Sequence, residues 1–189
     1  MRLTLRFIIL ICSIAIAQSI AAQVVINEFS AANTTITDNF GESEDWVELF
    51  NTTGTAVNLS GWHLSDRSAN LLKWTFPAGS TIAANGFLRV WCSGRNTGTG
   101  ANMHTNFKIT QTQNIEGIYL SNTGGTLIDG NDINIPNQEN HSWGRSPNGS
   151  ANWRVFTNPT PLIPQLPIWA MPLRPTLHPH RARTAARLV

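Results

Sequence analysis

Only two cysteines, Cys12 and Cys92, occur in 189 residues. A chain this poor in thiols has no cysteine scaffold and no cysteine-rich zinc cluster. Charge is scarce as well, with Asp, Glu, Lys and Arg making up 13% of the sequence. No sustained helical periodicity appears after residue 22, which leaves strands as the framework. The Gly-x-Ser-x-Gly elbow of serine hydrolases is missing, and the stretch Gly94 to Gly100 lacks the Lys-Ser/Thr ending of a phosphate loop. His63 and His104 have no Cys or second His at zinc-ligand spacing, so each is expected to be a hydrogen-bonding residue at a strand edge. No catalytic residue and no cofactor is assigned on these grounds, and the chain is expected not to be an enzyme.

What the sequence has in quantity is Gly, Asn, Ser and Thr between short runs of β-branched and aromatic residues. That is the composition of many short strands joined by polar turns. The stretch Asp45 to Asp66 is its centre. In Trp46-Val47-Glu48-Leu49-Phe50, Val47 and Leu49 point one way and Trp46, Glu48 and Phe50 the other. Turn formers follow from Asn51 to Thr55, and period two resumes at Val57 and Leu59. Further strands are expected at 24–29, 72–76, 81–82, 87–91, 107–109, 118–120, 126–129, 142–145 and 153–156. Asn122-Thr123-Gly124-Gly125 joins two of them as a hairpin. Ser30 to Glu44 reads as a long exposed loop, and Ser93 to Met103 as a second one. The fold class is all-β, a sandwich of antiparallel sheets with about 7–9 short strands.

The two ends differ from the middle. Residues 1–22 have the form of a signal peptide: Arg2 and Arg6, then an apolar run from Phe7 to Ala17, then small residues. The apolar run is shorter than the ~20 residues of a spanning helix. Cleavage, secreted, periplasmic or cell-surface localisation, and no membrane insertion afterwards are expected. Cys92 would then stand alone, as a small core residue. From Leu162 onward Asp, Glu, Gly and Asn vanish and Pro, Arg, Leu and Ala take over. Residues 162–189 are therefore expected to be a disordered tail, with a shifted reading frame favoured as the reason; Trp169, His178 and His180 are then incidental. The basic residues at both ends disguise the charge of the middle. Residues 23–161 hold seven basic and eleven acidic residues, a net −4, so no nucleic-acid binding is expected.

An ordered set of motifs carries a resemblance. Ile26-Asn27-Glu28-Phe29, Asp45 to Asn51 and Val57 to Asp66 come first. Trp74-Thr75-Phe76-Pro77-Ala78-Gly79, Val90-Trp91, His104 to Ile109 and Trp143-Gly144-Arg145 follow in order. The set resembles the bacterial branch of the lamin-tail domain over about residues 24–161. The resemblance implies an immunoglobulin-like β-sandwich and a non-enzymatic interaction module, of the kind attached to other domains of secreted proteins. It supplies no catalytic residues. The function expected is adhesion, targeting or interaction with an extracellular protein or glycan, as an N-terminal accessory domain of a larger protein. Two alternatives stand beside it: a carbohydrate-binding module using exposed tryptophans, and a fragment of a secreted enzyme whose catalytic domain is missing.

Candidate binding residues are Trp46, Trp143 and Trp153, the tryptophans placed to reach solvent in part, although a core role is the favoured reading for them as well. Trp62, Trp74, Trp91, Leu49 and Leu64 are assigned to the core. Asp45 and Glu48 fall on opposite faces of a strand and cannot act as a pair, whereas Glu28 can meet Glu48 across strands. No metal is assigned. The oxygen-rich run Asp129-Gly130-Asn131-Asp132-Ile133-Asn134 still offers calcium candidates in Asp129, Asn131 and Asp132, although it lacks the bidentate Glu of an EF-hand loop.

Overall fold

The computed structural model describes residues 22–110, 116–133 and 138–162. The leader with Cys12, the tail beyond Leu162 with its Trp and His residues, and Asn134 lie outside the described residues.

The short alternating runs become strands: β1 (Val24–Ser30), β2 (Trp46–Asn51), β3 (Val57–Asn58), β4 (His63–Ser65), β5 (Trp74–Thr75), β6 (Thr81–Ile82), β7 (Phe87–Trp91), β8 (Gly117–Ser121), β9 (Leu127–Asp132), β10 (Ser142–Arg145) and β11 (Trp153–Phe156). A five-stranded sheet has the order β11-β10-β1-β2-β7, and a four-stranded sheet the order β5-β4-β8-β9. β3 and β6 form a two-stranded ribbon. Every pairing between these strands is antiparallel. The eleven strands among the described residues exceed the expected 7–9 because several are only two residues long.

Turn chemistry sets the local structure. In the β8–β9 hairpin the Asn122 carboxamide oxygen accepts the backbone N–H groups of Gly124 and Thr126, each at 3.0 Å. Gly125 there has φ of 77°, a left-handed conformation that glycine adopts without strain. Asn51 is buried at the end of β2. Its amide donates to Thr55 O at 2.7 Å and Ala83 O at 2.9 Å, which ties the β3–β6 ribbon to the large sheet.

The inner faces of the two sheets meet in one apolar cluster. Ile26, Phe29, Val47, Leu49 and Val90 come from the large sheet, and Leu64, Trp74, Ile118 and Leu120 from the other. Burying each such side chain is worth roughly 1.5–3 kcal/mol. Cys92 belongs to this cluster.

The outer face of the large sheet is buried too, and this departs from the sequence expectation. A β-bulge lies between Ile26 and Glu28: Ile26 pairs with Leu49 while Glu28 pairs with Glu48. The extra residue, Asn27, shifts the alternation by one. Ile26 and Phe29 consequently both join the core, and Glu28 turns outward beside Glu48. Trp46 pairs with Trp91 on that same outer face. The chain at 103–105 runs beside β7, with Trp91 N–H to Met103 O at 2.9 Å and Thr105 N–H to Trp91 O at 2.8 Å. The His104 ring stacks over Trp91 at 6.4 Å. Trp46, a candidate for partial exposure, is completely buried, as the favoured core reading has it.

Three other expectations change. Phe107 to Ile109 makes one bridge, Ser93 to Lys108, rather than a strand. The Thr105 hydroxyl donates to Phe107 O at 2.6 Å and turns the chain there. The run 72–76 narrows to Trp74–Thr75, with Leu72 56% exposed. Ser30 to Glu44 is a pinned loop: buried Asn33 donates to Ile36 O at 2.6 Å and Glu44 O at 2.9 Å.

Candidate functional site

The candidate residues sort into a sealed set and an open set. Glu28 and Glu48 head the sealed set. Both are fully buried and face each other across β1 and β2. Glu48 accepts Asn27 Nδ2 at 2.8 Å and the backbone N–H of Leu162. Glu28 accepts the Ser142 hydroxyl and, at 3.1 Å, the backbone N–H of Thr160. The last described turn of chain thus lies over both carboxylates. Arg89 pairs with Glu48 from β7 and lays its guanidinium 4.1 Å from the Trp91 ring. Burial pushes the Glu48 carboxyl up to about 7, and the neighbouring Glu28 adds to the shift against donors that lower it. Asp45 stands just before β2, where burial raises it to about 6 although Asn33 N–H donates to it at 2.9 Å.

The sequence reading did not anticipate a second sealed group. Ser93 Oγ lies 2.9 Å from His104 Nδ1, and His104 Nε2 lies 2.8 Å from Asn39 Oδ1. A hydroxyl beside an imidazole invites comparison with a nucleophile and its base. Both residues are buried, however, and the hydroxyl accepts Arg95 N–H at 3.3 Å. Burial lowers the imidazole pKa, so the neutral ring is favoured. His104 acts as a hydrogen-bonding spacer between the loop at Asp38 and β7. His63 likewise pairs with Thr75 Oγ1 at 3.0 Å. Burial raises the Cys92 thiol well above its ordinary range, which leaves it protonated and unreactive.

The open set lies where the last strand of each sheet comes close. β9 ends the small sheet, and β10 and β11 end the large one. Trp143 and Trp153 sit one diagonal apart on the same face of β10 and β11, their rings stacked at 6.3 Å and 16°. Both are partly buried. Tyr119 reaches the same place from β8. Its ring lies flat over Gly130, where an added Cβ would come within 2.8 Å of Tyr119 Cδ1. Its hydroxyl donates to Asp132, and burial raises its pKa. Together with Leu127, which is 50% exposed, and Asn131, these residues line an open cleft of about 380 Å³.

One ion pair holds the cleft's walls together. Arg145 of β10 donates to both oxygens of Asp129 of β9 at 3.0 Å. It also donates to Ile26 O at 2.8 Å and Ser150 O at 2.6 Å, and its guanidinium stacks 4.7 Å from the Trp153 ring. Asp129 further accepts Ile26 N–H at 2.8 Å. With its oxygens committed to a cation and an amide, Asp129 is no calcium ligand in this arrangement. Asp132 and Asn131 do reach the cleft, so two of the three calcium candidates lie beside two of the three binding tryptophans. No group of three or more His, Cys, Asp or Glu side chains able to hold a metal exists among the described residues.

Of the assigned core residues, Leu49, Leu64, Trp74 and Trp91 are buried. Trp91 is held on the outer face with Trp46, not in the main cluster. Trp62 is only partly buried against that cluster, because it follows Gly61, whose left-handed turn (φ 77°) carries the chain to the rim.

No match was found among curated proteins. The lamin tail domain family matches residues 17–134, which takes in β1 to β9 and stops short of β10 and β11. The match covers more than half of the sequence and agrees with the antiparallel sandwich, so the chain belongs to the lamin tail domain family, whose members share an immunoglobulin-like fold.

Proposed function

We propose that this chain is an exported, non-catalytic interaction module that engages an extracellular protein or glycan through the cleft between β9 and β10–β11. The observation that carries the reading is the contrast in access. Groups suited to acid–base or nucleophilic work, Glu28, Glu48, Ser93 and His104, are buried under their own chain. In the cleft Trp143, Trp153 and Asn131 are partly exposed and Asp132 is exposed. Such a surface recognises a partner without transforming it. Export rests on the basic and apolar pattern of residues 1–22.

The test is retention. The purified, fluorescently labelled chain added to intact source cells should bind saturably and be displaced by excess unlabelled chain. Uniform, non-displaceable background would overturn the reading.

A further inference from the structure

We propose that the cleft between β9 and β10–β11 binds a neutral pyranose glycan. The proposal deepens, and rests on, the reading of the chain as an extracellular binding module. A pyranose ring has an apolar C–H face and a rim of hydroxyls, so it needs an aromatic surface beside groups that exchange hydrogen bonds. Trp143 and Trp153 supply adjoining indoles. Asn131 and Asp132 supply amide and carboxylate groups on the same cleft, and the Tyr119 hydroxyl stands with them. The volume, about 380 Å³, falls in the range of small-ligand clefts, roughly 300–1,000 Å³, and its open form admits a chain that continues past one ring.

Charge narrows the ligand. Arg145, behind Trp153, is spent on Asp129, Ile26 O and Ser150 O, and the charged group among the residues lining the cleft is the Asp132 carboxylate. Among the described lining residues the cleft therefore offers no cation to a sulfate, phosphate or uronate, and Asp132 repels them mildly. Preorganisation favours binding too. The Tyr119 ring is wedged over Gly130 and its hydroxyl is held by Asp132, so little side-chain freedom remains to be lost there. β10 and β11 lie beyond the region matched by the family. The tryptophan half of the cleft thus lies outside the matched region.

Titration of intrinsic tryptophan fluorescence in the full chain tests this, with cellohexaose, mannohexaose and chitohexaose as neutral probes and polygalacturonate as the anionic one. At least one neutral probe should give a saturable change with a Kd of about 1 mM or below, and polygalacturonate should give none. Trp143→Ala should weaken that binding about tenfold or more, while Phe40→Ala, an exposed aromatic beyond the opposite β7 edge, should leave it unchanged. Asn131→Ala at the rim gives a second reading that does not disturb the tryptophan pair, and weakened binding is expected there as well. No saturable response to any neutral probe, or a response indifferent to both Trp143→Ala and Asn131→Ala, overturns the proposal. The two readings separate on cells. Retention abolished by protease treatment of the cells but not by periodate keeps the interaction module and removes the glycan; no retention at all removes both.

Discussion

The outer face of the large sheet and the cleft beside β9 are made of the same materials. Each places carboxylates next to tryptophan and arginine. On the outer face, residues 160–162 lie over Glu28 and Glu48 and the His104 ring stacks on Trp91, and Glu28, Glu48, Trp46 and Trp91 expose no more than a trace of surface. At the cleft Trp143 and Trp153 are only partly covered and Asp132 is exposed, and they meet solvent. Composition does not separate a structural cluster from a recognition surface here; what lies over it does. Burial raises the cost of charge on the first face and leaves the second free to exchange hydrogen bonds with a partner.

The difference is broken most severely by removing what is sealed. Trp46→Ala should lose about 3–5 kcal/mol in chemical denaturation, because the covering segment cannot fully collapse into the vacated space. Arg145→Ala comes next. It strands Asp129 without its partner at about one-seventh exposure and should cost about 3 kcal/mol, with loss of the cleft's wall seen as a changed tryptophan spectrum.

Glu48→Gln is the more discriminating test, since its sign depends on pH. The Glu48 carboxyl titrates near 7 in the fold against its usual 4.5, so between those values the native state holds the extra proton. Its favourable contribution is complete below about 4.5 and is lost as pH rises through about 7. Melting temperature of the native chain should therefore fall from pH 5 to pH 8. Glu48→Gln should flatten that fall and, at pH 8, exceed the parent by about 1–3 kcal/mol. A residual slope of the same sign is expected from Asp45, which burial also raises. A profile unchanged by Glu48→Gln would show that the pair is solvated. The smallest effect belongs to the open region: Asp132→Asn should shift stability by less than about 0.5 kcal/mol while reducing glycan binding.

Much of the sandwich was legible because a strand with one buried face declares itself by alternation. β2, β7 and the β8–β9 hairpin follow from Val47 and Leu49, from Leu88 and Val90, and from Asn122 to Gly125. The faces of β2 were read correctly as well. What alternation does not reveal is whether the second face is covered. The segments that close over this face, at His104 and at 160–162, lie some sixty and one hundred and ten residues along the chain from β2, and nothing local to β2 announces them. The site divides the same way. Trp143, Trp153, Asn131 and Asp132 stood out by residue type. Their convergence with Tyr119, and the diversion of Asp129 to Arg145, depend on two sheet edges meeting in space. Gly130 was the available signal, named within the oxygen-rich run 129–134, when its role is to make room for an aromatic ring across the hairpin.

The single extra residue in β1 has a consequence for how this fold tolerates change. Residues before Asn27 and residues after it obey opposite parity rules, so the strand behaves as two half-strands spliced out of step. Deleting Asn27 would set Ile26 and Glu28 side by side opposite Leu49 and Glu48, a regular ladder that keeps Phe29 inward and Glu28 outward, and what is lost is the hydrogen bonding of Asn27 to Glu48, Asn148 and Gly149. Substitutions along β1 are therefore to be judged by which side of the splice they fall on.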